Sequence, residues 1–266
     1  MHVFPPHDPY LPPKPFLGSL DADGKYSTFK SQQTAFNEIF EALEKKGKFT
    51  PKVQPIVESL RYRYDEFIKY TDAQFEIFIS ELSRRKILDN TVIIISADHG
   101  ESFEHDYIMH GGEKMYEQVT NIPLIIKEPG QTRGVVIDTL VEQIDIPATI
   151  VSIAGTEVPE WMEGVSLQPL LRGDSINRQG GVFAMNLERS SSRIGDPVTR
   201  GTIALWEGDY KLIYFLDKKE SILFNLADDP DEMKDLFHSD QETGQRMLSI
   251  IQANLTNANE RILHTD

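Results

Sequence analysis

The 266-residue sequence contains no cysteine, so neither a disulfide framework nor a thiolate metal site is available to it, and no redox compartment can be read from it. It has no apolar run approaching the ~20 residues of a membrane-spanning helix. Positive charge is also scarce: 27 Lys and Arg face 42 Asp and Glu, for a net charge of −15. That balance argues against a nucleic-acid or anionic-membrane surface as the main partner. An anionic substrate would meet an opposing field, so a bound divalent cation and local histidines would have to reverse the potential at its site. A signal peptide is not legible either, because Pro5, Pro6, Pro9, Pro12 and Pro13 interrupt the N-terminus. Met1 to Phe4 reads as the last residues of a strand entered halfway.

What is present is ordinary globular material, with 39% hydrophobic and 26% charged residues. The length allows one or two domains. The most informative stretch is Thr91 to Gly100, TVIIISADHG. Val92 to Ser96 is apolar or small without polar alternation, as expected of a strand covered on both faces. Asp98 and His99 follow, and Gly100 permits a tight turn. Ligands gather beyond the carboxyl ends of strands in α/β sheets, which makes this carboxylate and imidazole candidate metal ligands or acid/base groups. A simple turn cap is the alternative.

The proline density from Pro5 to Pro15 predicts a stiff loop carrying His7 and Tyr10. Asp21 to Lys25, DADGK, lacks the remaining ligands of an EF-hand and reads as a surface turn. Apolar spacing predicts helices over Phe36 to Lys46 and about Val53 to Lys86, the second with Leu60, Tyr64, Phe67, Ile68, Phe75, Phe78, Ile79 and Leu82 on its apolar face and Asp72 solvated. Glu101 to Gly112, with His105 and His110, reads as a polar active-site loop rather than packed structure. Ile122 to Lys127 is a short buried strand, Val135 to Leu140 a further element, and Ile144 to Ala154 a helix packing Ile146, Ile150 and Ile153. Gly173 to Gly181 reads as a linker. Beyond it, Val182 to Met185, Thr202 to Trp206, Tyr210 to Phe215 and Ile222 to Asn225 predict an antiparallel sheet, packed by a helix from about Gln241 to Arg261. Ala227 to Glu232, ADDPDE, reads as a solvated turn.

SADHG followed by ESFEHDYIMHGGEKMYEQVTNIPLII resembles the metal-binding strand of the sulfatase branch of the alkaline phosphatase superfamily. Met1 to Pro13 is similar to that family's H-x-F-x-P-H-x-P-Y-x-P-P segment. Tyr64-Asp65, Val141 to Pro169, Trp206 to Tyr214 and Leu223 to Leu236 extend the resemblance over nearly the whole chain, with Ala148 where proline is usual and Asp235 where asparagine is.

The resemblance implies an alkaline-phosphatase-like α/β fold, a mixed sheet flanked by helices, with a smaller antiparallel-sheet plus helix subdomain. Residues 1–172 would be the C-terminal part of the catalytic domain and 173–266 the subdomain. It implies Asp98 and His99 as ligands of a divalent metal, calcium first, with manganese or zinc open because imidazole is softer than calcium prefers. It places His7 and His110 against the sulfate or phosphate group as the catalytic and substrate-binding histidines, with Lys114 able to serve in place of His110.

The implied reaction is hydrolysis of small-molecule or carbohydrate sulfate esters. A phosphodiesterase or phosphonate monoester hydrolase of the same superfamily is the alternative, as is a non-catalytic metal- or partner-binding half. The family's nucleophile is a formylglycine made from Cys or Ser within C/S-x-P-S-R, a motif that does not occur in these 266 residues. The expectation is therefore a chain that is inactive without a missing N-terminal segment. A periplasmic or secreted setting would follow from the family, its export signal lying ahead of Met1.

Overall fold

The computed structural model describes residues 2–20, 23–178, 180–187 and 197–263, with the side chains of 262 and 263 left aside. Met1, Asp21, Ala22 and Gln179 of the segments discussed above lie outside the described residues. The chain divides into two compact units: residues 1–97, 101–110 and 123–134 form the first, and 98–100, 111–122 and 135–266 the second.

In the first unit, helix α1 runs Phe29–Lys46, a full turn and more ahead of its expected start. Thr28 and Ser31 explain the difference. Each side chain caps the other's backbone N–H, supplying partners for donors that the first helical turn leaves over. Gly47 closes the helix in the left-handed conformation at φ 66°, its N–H donating to Leu43 O. Helix α2, Gln54–Arg84, matches the periodicity, but its buried residues lie only between Ile56 and Phe67. Ile77 and Phe78, in the C-terminal half, are exposed. Asp72 is exposed as expected.

A core of Tyr10, Phe36, Ile39, Val57 and Leu60 joins the proline-rich segment to both helices. Phe103 and Ile108 belong to that core, so the segment after Gly100 is packed, contrary to its reading as a purely polar loop. Gln32, 1% exposed, clasps the proline segment to α1. Its Oε1 accepts from Tyr10 N at 2.8 Å, while its Nε2 donates to the carbonyls of Tyr10 and Tyr26. Strand β1, Ile93–Ser96, pairs antiparallel with β2, Leu124–Lys127, in the register Ile94 to Ile126. Among the described residues β1 has no other strand neighbour, and its three isoleucines are half-buried and Ser96 exposed rather than covered on both faces.

In the second unit, Glu117–Thr120 forms a short helix α3. Val135 to Leu140 forms no strand or helix, and Val135 and Val136 are exposed. Helix α4, Asp145–Ile153, turns inward Asp145, Ala148 and Thr149 instead of the isoleucines; Ile150 is exposed. Hydrogen bonding selected that face. Asp145 accepts from Glu142 N and Val165 N, and pairs with Arg178; Thr149 Oγ1 accepts from Leu167 N at 2.8 Å. A one-turn helix α5, Gln168–Leu171, follows.

Strands β3 Val182–Asn186, β4 Thr202–Glu207, β5 Tyr210–Phe215 and β6 Glu220–Asn225 form an antiparallel meander in chain order, close to expectation. Helix α6, Gln241–Leu263, covers one face. There Ile203, Leu205, Leu212 and Leu223 pack with Met247 and Ile251. The other face gathers Ala204, Trp206, Ile213 and Phe224 around Met115. Burial on both faces is why Thr202 to Trp206 reads as a continuous apolar run.

Glu232 corrects the reading of ADDPDE as a solvated turn. It is 4% exposed and lies 2.7 Å from Lys211 Nζ. The fold class is the expected one, an α/β protein with a C-terminal antiparallel sheet packed by a helix.

Candidate active site

His7 sits in a turn closed by its own N–H donating to Phe4 O. Its Nδ1 donates to the backbone carbonyl of Asp8 at 2.8 Å, with the Asp8 carboxylate 3.0 Å away. His110, at the end of the packed segment, stands edge-on to His7 with ring centroids 4.9 Å apart. Its Nδ1 is 3.2 Å from both oxygens of Glu101, whose side chain is 2% exposed. The first unit thus brings together two histidines separated by more than a hundred residues of sequence. In each, Nδ1 faces an oxygen acceptor. A proton held there makes Nε2 the nitrogen available for chemistry.

The Glu101 charge acts on three phenols, those of Tyr10, Tyr64 and Tyr107. Tyr10 packs on Tyr64 and Phe103 with centroids 5.6 and 5.8 Å away. Burial, then the Glu101 charge, pushes the Tyr64 and Tyr107 phenols up to about 12, and the Tyr10 phenol higher still.

Asp98 and His99 are held in the second unit. His99 Nδ1 donates to Gly100 O at 2.8 Å, leaving the Nε2 lone pair 3.9 Å from Asp98 Oδ1. One carboxylate oxygen and one imidazole nitrogen at that separation can share a divalent ion, since such ligands bind at ~2.0–2.6 Å. The backbone carbonyl on the far nitrogen is the usual outer support of a ligating histidine. Gly100 keeps this turn against Val119. Its N–H donates to Val119 O at 2.8 Å, and a Cβ at Gly100 would stand 2.1 Å from Gln118 O. Lys114 is half-buried in the same unit, and half-buried His105, in the first, occupies a left-handed turn at φ 58°.

Glu101 and Gln32 escaped the sequence reading. Glu101 had a signal, its position directly after Asp-His-Gly, whereas nothing local distinguishes Gln32 from its neighbour Gln33.

Residues 2–156 match the sulfatase family, and residues 104–261 match the C-terminal region described as N-sulphoglucosamine sulphohydrolase. Arylsulfatase K of Mus musculus is 31% identical over 193 residues, 71% of this chain and 34% of its own length. The chain thus spans about a third of that relative. The phosphonate monoester hydrolase from Silicibacter pomeroyi is similar in fold, with TM-score 0.63 and 24% identity over 79% of this chain and 43% of that one. A protein solved in complex with its substrate D-glucosamine-2-N,6-O-disulfate aligns at TM-score 0.61 and 21% identity, over 90% of this chain and 48% of that one. With the DHG turn, the proline-borne histidine and the C-terminal sheet all in place, the chain belongs to the sulfatase family of the alkaline-phosphatase-like superfamily.

Proposed function

We propose that this chain supplies the histidine and metal-binding elements of a hydrolase acting on sulfate esters, with carbohydrate sulfates as the substrate class. The observation that carries the reading is the facing pair His7 and His110, 4.9 Å apart, each with Nδ1 turned to an oxygen. With Nδ1–H committed to oxygen in each ring, Nε2 accepts a proton in the neutral imidazole, and only the doubly protonated ring can donate from Nε2 to oxygens that gain charge in the transition state or protonate the departing alcohol. Asp98 and His99 would hold the divalent ion implied by the family, calcium first and manganese or zinc as alternatives. When bound, that ion would act as a Lewis acid on the ester oxygens and offset the chain's negative field. Lys114 would add a second positive contact to the anion. The sulfated glucosamine bound by one structural relative supports the substrate class.

The phosphonate monoester hydrolase neighbour favours a second reading, the same machinery directed at phosphonate monoesters. The test is to express the longest reading frame containing this chain and compare sulfate release from glucosamine 6-sulfate with hydrolysis of a phenylphosphonate monoester. Metal-dependent sulfate release that falls about 10²–10⁴-fold in His110→Ala supports the sulfatase reading. Preferential phosphonate hydrolysis replaces it with the second. Absence of both activities, with metal binding intact, leaves a binding half.

A further inference from the structure

The Glu101 side chain is nearly inaccessible to solvent, and its charge acts on the phenols of Tyr10, Tyr64 and Tyr107. Burying a carboxylate is costly unless partners compensate it, and this one faces the His110 imidazole with both oxygens and interacts with the Tyr10 phenol as well. Loop closure does not require the contact. Ser102 and Met109 already bridge the segment with two backbone hydrogen bonds, Ser102 N to Met109 O at 3.1 Å and Met109 N to Ser102 O at 3.0 Å. An apolar side chain would fill the same space without the desolvation cost. What a carboxylate adds is direction: it accepts from Nδ1–H and from no other edge of the ring.

We infer that Glu101 is the positioning residue of His110, holding the ring by its Nδ1–H so that Nε2 is the nitrogen turned to the ester, a base in the neutral ring and a donor once it has taken up a proton. His7 reaches the same state by a different means, its Nδ1 donating to the Asp8 carbonyl. The two rings therefore work through the same nitrogen, one fixed by the backbone and the other by a side chain. The inference builds on the proposed role of His110 at the ester, but its test does not depend on turnover.

Histidine-¹⁵N-labelled protein, examined by long-range ¹H–¹⁵N correlation at a pH where the rings are neutral, reports each tautomer directly. His110→Gln identifies the signal. The wild type should show His110 protonated at Nδ1, and Glu101→Leu should lose that signature while the His238 signal and circular dichroism stay unchanged. If Glu101→Leu fails to fold, Glu101→Asp, which withdraws the carboxylate by one methylene, should reduce the Nδ1–H fraction. Wild-type His110 protonated at Nε2, or an Nδ1–H signature that persists in the Leu or Asp variant, overturns the inference. Sulfate release by the longer protein then stands or falls separately.

Discussion

Lys211 Nζ lies 2.7 Å from Glu232 Oε1, and neither side chain is exposed. The same ammonium is 3.0 Å from Glu117 Oε1 and 4.7 Å from the centre of the Trp206 ring. Glu117 also accepts from Trp206 Nε1 and donates its backbone N–H to Glu232, so strand β5, the Glu232 turn and helix α3 share one charge cluster.

Breaking this cluster on one side should therefore be expensive. Lys211→Met leaves two carboxylates around an apolar side chain, and is expected to lower unfolding free energy by about 3–5 kcal/mol in urea denaturation. Glu232→Gln, which retains an acceptor, should cost less. A loss below about 1 kcal/mol for Lys211→Met would show the cluster to be energetically neutral.

Asp98→Asn and His99→Ala should each weaken binding of a divalent ion at least about tenfold, measured by titration calorimetry with calcium, manganese and zinc in turn. The order of affinities among the three ions identifies the metal. Wild-type affinity in both variants would remove Asp98 and His99 from the metal site.

Gly100→Ala should damage the same site without removing a ligand. Its Cβ would fall 2.1 Å from Gln118 O, so backbone must move, at an expected cost of about 1–3 kcal/mol. Metal affinity should fall with stability, because the displaced peptide carries the carbonyl that accepts from His99. Unchanged stability in thermal melts would refute the close approach.

Alkaline pH should destabilise the chain through Tyr64 and Tyr107. Burial, then Glu101, pushes both phenols up to about 12, whereas an unfolded phenol titrates near 10. Between those values the folded state binds more protons, so stability is full below about pH 10 and declines as pH rises toward 12. Tyr64→Phe should make the decline shallower in urea titrations between pH 9 and 11.5. An identical slope in the variant would show that Tyr64 is not shifted.

Strands β3 to β6 and helices α2 and α6 were legible within a residue or two, because period and turn residues are local properties of the chain. Asp235, at the position where the resembled family pattern has asparagine, shows how such a departure can be accommodated. Its Oδ1 accepts from Leu223 N and Phe237 N, which an asparagine oxygen can equally do. Less legible was which face of an element turns inward. In α4 the isoleucine spacing suggested one face, and the fold chose another because Asp145 and Thr149 found backbone donors distant in sequence. Glu232 was misread for the same reason, its cation lying on a strand that no local rule connects to an acidic turn.

The sequence by itself determined the family, the fold class and the identity of the residues to inspect, His7, Asp98, His99, His110 and Lys114, because motif spacing and hydrophobic period are written along the chain. Tertiary structure alone decided that His7 meets His110, that Glu101 lies behind His110, and that Gln32 clasps the proline segment. Those are contacts between residues far apart or facing in unpredictable directions, and their partners are selected by which polar groups are left to be satisfied once the core has packed.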